Sequence, residues 1–219
     1  MRIVFLHTVL GVTEMFAELI RRHLPPSVQV LHIVDETIIA AVRVAGGPTP
    51  AVAQRIREHA LAAAAAGAAA MQITCSTVTP CIPGVAAAVA IPIFTIDGPM
   101  VRAAVRRYKR IGMLATNAAT LRPSVATLRT AARAAKRPVQ VRARQCDAAY
   151  EAFLRGDRAE HDRIVIAEAT RLARGVDAVI LAQASMARLA PTLAALPVPV
   201  LTSPRLAMQR LARFAARAK

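Results

Sequence analysis

The chain has 219 residues, of which 55% are hydrophobic, and a formal net charge of +16 at pH 7. This length and apolar content suffice for one large α/β domain or two small ones, and they exclude global disorder. The first apolar run is broken by His7, Thr8 and Glu14 before it reaches the length of a signal peptide or membrane span. We therefore expect a cytoplasmic protein with no membrane partner.

The positive charge raises nucleic acid as a partner, because Lys and Arg side chains neutralise phosphates. The arginines are, however, spread over almost every helical stretch, and the chain has no Trp and only two Tyr for base stacking. The composition thus argues against nucleic acid. It favours a solvated basic surface, or a field that draws small carboxylates toward a cleft.

The three cysteines, Cys75, Cys81 and Cys146, form no C-x-x-C pair. An odd count without such a pair favours a reducing compartment over a disulfide framework or a zinc site. We therefore expect no bound metal, and any special cysteine should act as a thiol.

Short apolar runs alternate with amphipathic helical stretches along the chain. Strands are predicted over residues 3–6, 29–33, 70–74, 111–115, 139–144 and 178–182, and helices near 13–23, 49–66, 120–135 and 157–174. This alternation predicts βα units and mostly parallel sheets, that is, an α/β fold.

Several residues indicate where helices begin and end. Asp157 and Ser203 are predicted N-caps, Pro204 follows at the first helical position, and Gly175 stands where a C-terminal glycine belongs. Asp35 follows the second strand, where it could shape the mouth of a cleft, bridge subunits or lie in a solvated loop.

An internal repeat divides the chain into two related parts. Residues 2–8 (RIVFLHT) resemble residues 110–116 (RIGMLAT), and the same offset of 108 places Cys75 opposite Gln183. Residues 91–95 (IPIFT) likewise resemble residues 198–202 (VPVLT). Three matches in order predict two pseudo-symmetric lobes, residues 1–97 plus 205–219 and residues 98–204, each a mostly parallel sheet flanked by helices.

Ligands of parallel α/β sheets bind beyond the carboxyl ends of the strands. The candidate site residues are therefore those that follow the matched strands: His7 and Thr8, Cys75, Ser76 and Thr77, Thr116 and Asn117, and Gln183 and Ser185. If the lobes face each other, Cys75 and Gln183 approach one small molecule from opposite sides of a cleft.

Hydroxyl groups surround the Cys75 thiol at a predicted helix start. This setting can lower the pKa of a thiol and offers N–H donors to a carboxylate. The alternative, a small cysteine buried at a strand end, stays open.

The order of these motifs resembles the aspartate/glutamate/hydantoin racemase family over nearly the whole chain. The motifs are Cys-Ser-Thr at 75–77, IPIF at 91–94, IGMLAT at 111–116, VILAQASMA at 179–187 and VPVLTS at 198–203. The resemblance implies a two-domain α/β enzyme without pyridoxal phosphate, other cofactor or metal, in which one cysteine from each half acts as acid or base. It also implies that Cys75 is the first of these cysteines, that Ser76 and Thr77 hold the substrate carboxylate, and that Thr116 belongs to the second-half threonine motif.

The sequence departs from the family at the second cysteine, where Gln183 stands. Two-base racemisation needs an acid–base group on each face of the substrate, and an amide does not titrate near neutral pH. The hypothesis is therefore a racemase-like isomerase, or a related decarboxylase or lyase, in which Cys75 performs one-base proton transfer on a small carboxylate and Gln183 donates hydrogen bonds. Cys146 and His7 stay open as substitutes for the second acid–base group.

Two other functions remain as alternatives. A non-catalytic carboxylate-binding or regulatory protein derived from the same fold would also keep a hydroxyl-rich site and lose an acid–base residue. A basic nucleic-acid binder would show a steep salt dependence. The substrate, its stereochemistry and the presence of a homo-oligomer stay open.

Overall fold

A computed structural model describes residues 1–217 of the chain and divides it into two compact units. Unit 1 combines Met1–Pro99 with the chain from Pro204 onward, and unit 2 is the continuous segment Met100–Ser203. The last two residues of the predicted first lobe, 218 and 219, lie outside the described part.

Unit 1 contains a four-stranded parallel sheet in the order β2-β1-β3-β4. Its strands are β1 (Arg2–His7), β2 (Gln29–Val34), β3 (Ala70–Ile73) and β4 (Ile93–Thr95). Its helices are α1 (Thr13–His23), α2 (Glu36–Ala45), α3 (Pro50–Ala65), α4 (Ile82–Ala86) and the later α9 (Ser203–Arg217), with 3₁₀ helices at Leu10–Val12 and Ser76–Cys81.

Unit 2 contains a second parallel sheet, in the order β6-β5-β7-β8. Its strands are β5 (Arg110–Ala115), β6 (Gln140–Gln145), β7 (Ala178–Leu181) and β8 (Val200–Leu201). Its helices are α6 (Ala118–Ala134), α7 (Asp147–Leu154) and α8 (Arg158–Ala173), with 3₁₀ helices at Ala184–Leu189 and Thr192–Ala195; α5 (Gly98–Arg107) leads into the unit.

The predicted α/β class with parallel sheets is confirmed. In both sheets the first strand of the unit pairs with the second and third, and the fourth lies beyond the third. The central strands β3 and β7 are buried at every position. Burial of a parallel sheet on both faces explains why these strands are apolar at every position except Gln72 of β3.

Four helices, α2, α4, α5 and α7, were not predicted. Asp35 does not lie in a solvated loop: it is buried and caps α2, where its carboxylate accepts a hydrogen bond from the backbone N–H of Thr37 at 3.1 Å. Arg55 and His59 of α3 contact the same carboxylate at 2.5 and 2.7 Å. These contacts join α3 to the start of α2.

The predicted helix boundaries have three outcomes. Asp157 caps α8, because its carboxylate accepts from the N–H of Glu160 at 3.0 Å. Ser203 as an N-cap is wrong, since it is already helical in α9 and its hydroxyl oxygen is buried without a hydrogen-bond partner. Gly175 does follow α8, but not with a left-handed φ; instead, a Cβ there would overlap the guanidinium of Arg142.

The C-terminal helix α9 completes the packing of unit 1. The ring of Phe214 meets that of Phe94 on β4 edge-on, with 5.1 Å between the centroids, and the guanidinium of Arg210 lies 4.8 Å from the Phe94 ring. Among residues 1–217, no helix has the length and apolar character needed to cross a bilayer.

Candidate active site

In unit 1, the strand ends bring Cys75 next to β1. Strands β1 and β3 run parallel, with Leu6 opposite Ile73. The backbone N–H of Thr74 donates to the Leu6 carbonyl at 3.0 Å, and the Thr74 hydroxyl donates to the same oxygen at 3.1 Å. Cys75 is the next residue, so its backbone is tied to the carboxyl end of β1.

The Cys75 side chain is half-buried and stands at the N-cap of the 3₁₀ helix Ser76–Cys81. Ser76 and Thr77 follow it and are both buried. The predicted helix start is therefore present, but it is a six-residue 3₁₀ helix. Its dipole is small, and the thiol makes no capping hydrogen bond.

His7 and Thr8 lie at the end of β1 and are both buried. Both ring nitrogens of His7 are engaged: Nε2 lies 2.9 Å from Nδ1 of His32, and Nδ1 lies 3.1 Å from the Thr74 hydroxyl. Burial, aided by the charge of a protonated His32, lowers the pKa of His7 to about 4. The His7 imidazole is therefore neutral at pH 7.

In unit 2, Gln183 and Thr116 are held together by their side chains. The Gln183 Oε1 accepts from the backbone N–H of Thr116 at 2.8 Å and lies 3.1 Å from its hydroxyl. Its Nε2 lies 3.0 Å from the same hydroxyl oxygen. The glutamine that replaces the second family cysteine is thus anchored at the carboxyl end of β5.

The other two predicted residues of unit 2 differ in exposure and partners. Asn117 caps α6, since its Oδ1 accepts from the N–H of Thr120 at 2.9 Å. That oxygen is engaged, which leaves the amide N–H₂ as the group for a ligand. Ser185 is exposed at the start of the 3₁₀ helix Ala184–Leu189.

The remaining cysteines are poor thiolates. The Cys81 thiol donates to the Val78 carbonyl at 3.0 Å, and burial raises its pKa. Cys146 caps no backbone group and is buried at the end of β6, where burial raises its pKa to about 11. A thiol that stays protonated in this way is a weak substitute for a second catalytic cysteine.

Sequence reasoning missed a buried carboxyl beside the Cys75 loop. Asp97 follows β4 and is 2% exposed, and its Oδ1 accepts a hydrogen bond from the Thr79 hydroxyl at 2.7 Å. Burial raises the pKa of Asp97 to about 6, against the opposing effect of the Thr79 hydroxyl. The available signal was an acidic residue two positions after β4, a strand whose sequence has a match in the other half.

The described residues contain no group of three or more His, Cys, Asp or Glu side chains arranged to hold a metal. A cavity of about 310 Å³ lies at the end of α6. It is lined by Arg129, Ala132, Arg133, Lys136, Arg137, Pro138 and Val139. None of the predicted site residues is among them.

The sequence profile of the Asp/Glu/Hydantoin racemase family matches residues 3–211. A comparison with curated protein sequences found no match.

Several solved structures share the fold. Allantoin racemase from Klebsiella pneumoniae is 19% identical, with a TM-score of 0.71 over 99% of this chain and 88% of that one. Glutamate racemase from Thermus thermophilus, in complex with β-chloro-D-alanine, is 22% identical, with a TM-score of 0.67 over 99% and 81%. Aspartate racemase from Picrophilus torridus is 15% identical, with a TM-score of 0.71 over 98% and 93%.

Proposed function

Because the chain belongs to the Asp/Glu/hydantoin racemase family, we propose that it is an isomerase-type enzyme for a small carboxylate, with Cys75 as its proton-transferring thiol. The observation that carries this proposal is the position of Cys75 at the carboxyl end of β3, half-buried and followed by the hydroxyl residues Ser76 and Thr77. Of the three thiols, the other two have raised pKa values because of burial.

Gln183 decides which proton transfers are available. An amide neither removes nor supplies a proton near neutral pH, so the second acid–base group of a two-thiol racemase is missing. We propose one-base chemistry: the Cys75 thiolate takes the proton from Cα, the C–H electron pair passes into an enolate, and the thiol returns a proton to carbon. Isomerisation and racemisation with another partner residue use this enolate. Decarboxylation of an activated malonate instead forms an enolate by loss of CO₂ from carbon, and the Cys75 thiol then donates its proton to that carbon.

The hydrogen bonds of Gln183 support a role as a donor. Its Oε1 is held by the N–H and hydroxyl of Thr116, which orients Nε2. Nε2 carries two hydrogens, and within residues 1–217 only the Thr116 hydroxyl takes one of them. The other hydrogen is the one we assign to the developing oxyanion of the substrate.

The substrate carboxylate needs donors that carry no negative charge. We propose that Thr8, Ser76, Thr77, Asn117 and Ser185 supply them, with Thr116 holding Gln183 and His7 supporting the strand end. The charge of +16 favours the approach of such an anion. No cofactor takes part in the proposed step, and the three free cysteines favour a reducing, cytoplasmic setting.

The test is proton exchange in heavy water. Aspartate, glutamate, hydantoins and substituted malonates are incubated with the enzyme, and deuterium uptake at Cα is followed by ¹H NMR. We expect the uptake of an accepted substrate to fall at least about 100-fold in Cys75→Ala. Cys81→Ala, at the other end of the same 3₁₀ helix, is the matched control and should keep the rate. Uptake that is unchanged in Cys75→Ala, or absent with every compound, would refute the proposal.

A second variant tests the role of Gln183. If only the second thiol is missing, Gln183→Cys should create racemisation of aspartate, glutamate or a hydantoin, measured by circular dichroism. Gln183→Ser, which has neither a thiol nor the amide, should not. No gain in Gln183→Cys on these compounds would contradict the account that only the second thiol is missing.

A non-catalytic carboxylate-binding protein is the second candidate, because Gln183 stands in place of the second acid–base group and can still donate a hydrogen bond to a carboxylate. In that case the carboxylates bind without proton exchange. Alkylation separates the two functions, because a catalytic Cys75 thiolate reacts quickly with iodoacetamide near pH 7 and is protected by substrate. Binding without fast alkylation would support the second candidate.

A further inference from the structure

A chain of hydrogen bonds runs from the surface to the residue before Cys75. His32 on β2 is exposed, whereas His7 at the end of β1 is fully buried. The two rings stack with 5.2 Å between their centroids, and His32 Nδ1 lies 2.9 Å from His7 Nε2. His7 Nδ1 lies 3.1 Å from the Thr74 hydroxyl, which lies 3.1 Å from the Leu6 carbonyl.

The Thr74 hydroxyl fixes the direction of this chain. Two oxygens at hydrogen-bond distance need a hydrogen between them, and the Leu6 carbonyl has none, so the Thr74 hydrogen points at Leu6. The Thr74 oxygen therefore accepts from the Nδ1–H of His7. A neutral imidazole carries one N–H, so Nε2 of His7 accepts from the Nδ1–H of His32.

The opposite direction is less favourable in this geometry. If Thr74 donated to His7 and His7 donated to His32, the Thr74 and Leu6 oxygens would face each other with no hydrogen between them. That arrangement makes one hydrogen bond fewer in a buried setting, where each lost bond is costly. The tautomer of His7 is therefore coupled to the donor that His32 supplies.

From this geometry we infer that His32 is a positioning residue for the strand end that carries Cys75. Its Nδ1–H sets the tautomer of His7, and His7 holds the hydroxyl of Thr74 against β1. Since the backbone N–H of Thr74 also donates to Leu6, both parts of Thr74 are fixed, and Cys75 follows directly. The expected effect of a fixed Thr74 on catalysis rests on the proposed function of Cys75.

The tautomers are measured by two-bond ¹H–¹⁵N NMR of histidine-labelled protein at pH 7. We expect His7 as the neutral Nδ1–H form in the unaltered chain. In His32→Leu the donor is lost, and His7 should populate the Nε2–H form. In His32→Asn the amide N–H stands near the place of Nδ1, so the Nδ1–H form of His7 should be kept. His23→Leu, at the end of α1, is the control.

Two further measurements connect the tautomer to the strand end. Hydrogen exchange at the Thr74 amide should speed up about tenfold in His32→Leu, which corresponds to the loss of roughly one hydrogen bond, and return in His32→Asn. With an accepted substrate, kcat should fall about tenfold in His32→Leu with little change in KM, and recover in His32→Asn.

Three results would overturn the inference: His7 in the Nε2–H form in the unaltered chain, an unchanged tautomer in His32→Leu, or an unchanged kcat despite a changed tautomer. The NMR and exchange experiments need no substrate. Their outcome therefore stands apart from the deuterium-uptake test of the proposed function.

Discussion

The Thr79 hydroxyl donates a 2.7 Å hydrogen bond to the carboxyl group of Asp97, which is 2% exposed. The contact joins the 3₁₀ helix that follows Cys75 to the end of β4. The other Asp97 oxygen, Oδ2, is buried without a hydrogen-bond partner in the described chain. A carboxyl group in this setting favours its neutral form.

The pH dependence of unfolding should report on Asp97. Its pKa of about 6 lies above the ordinary value, so the folded state binds this proton more tightly than the unfolded chain does. The resulting stability is complete below about pH 4 and is lost as the pH rises through 6. Between pH 4 and pH 7.5, the free energy of unfolding should fall by roughly 2–3 kcal/mol more in the unaltered chain than in Asp97→Asn.

Urea unfolding at both pH values measures this difference. Asp147→Asn is the control, because Asp147 is exposed. Equal pH dependence in the unaltered chain and Asp97→Asn would show that the carboxyl group titrates normally.

The Gln183 carbonyl should contribute to the stability of unit 2. In Gln183→Leu the backbone N–H of Thr116 loses its acceptor, and we expect the free energy of unfolding to fall by about 1–3 kcal/mol. Gln183→Glu keeps an oxygen in the same place and should lose less. Urea unfolding at pH 7 compares the two, and equal losses would argue that the 2.8 Å bond to Thr116 contributes nothing.

A side chain at Gly112 should lower the stability of the protein. A Cβ at this position of β5 would lie 2.7 Å from Cγ of Leu172 on α8, inside a packed core. We expect Gly112→Ala to destabilise the protein by roughly 1–3 kcal/mol in urea. Gly175→Ala is the comparison, because its neighbour is the movable end of the Arg142 side chain; a larger loss there would contradict this reasoning.

Replacing Lys136 with glycine should stabilise the protein. It follows α6 with a φ of +51°, the left-handed region, and among the described residues no other non-glycine residue has a positive φ. Lys136→Gly relieves this backbone strain, so the free energy of unfolding should rise by up to about 1 kcal/mol. Ala135→Gly, where φ is −83°, should give no gain. A loss in Lys136→Gly would mean that the lysine side chain itself stabilises the helix end.

The sheets and the place of Cys75 could be predicted because their signals are local. Buried parallel strands are continuous apolar runs, and the polar residues that follow them mark one edge of the sheet. The helices α2, α4, α5 and α7 were missed because all four are short, and α2, α5 and α7 closely follow a strand. Two residues in the sequence could have indicated α2: Asp35, which is its N-cap, and Gly46, which ends it with a left-handed φ of +71°.

The hydrogen bonds of the site depend on register, which the sequence does not state. Strands β1 and β2 pair with Phe5 opposite His32, so His7 and His32 lie on the same face of the sheet. Likewise, the anchoring of Gln183 by Thr116 follows from the pairing of β5 with β7 and from a side-chain rotamer. Neither relationship is visible in residue types or spacing.

Unit 2 is one uninterrupted stretch of chain, whereas unit 1 includes the helix α9, which is translated after unit 2. During synthesis, the ribosome has released all of Met100–Ser203 before α9 can bring Phe214 and Arg210 against Phe94. The unit that is translated first is therefore the last to be completed, and until then the Phe94 ring lacks its contacts with Phe214 and Arg210.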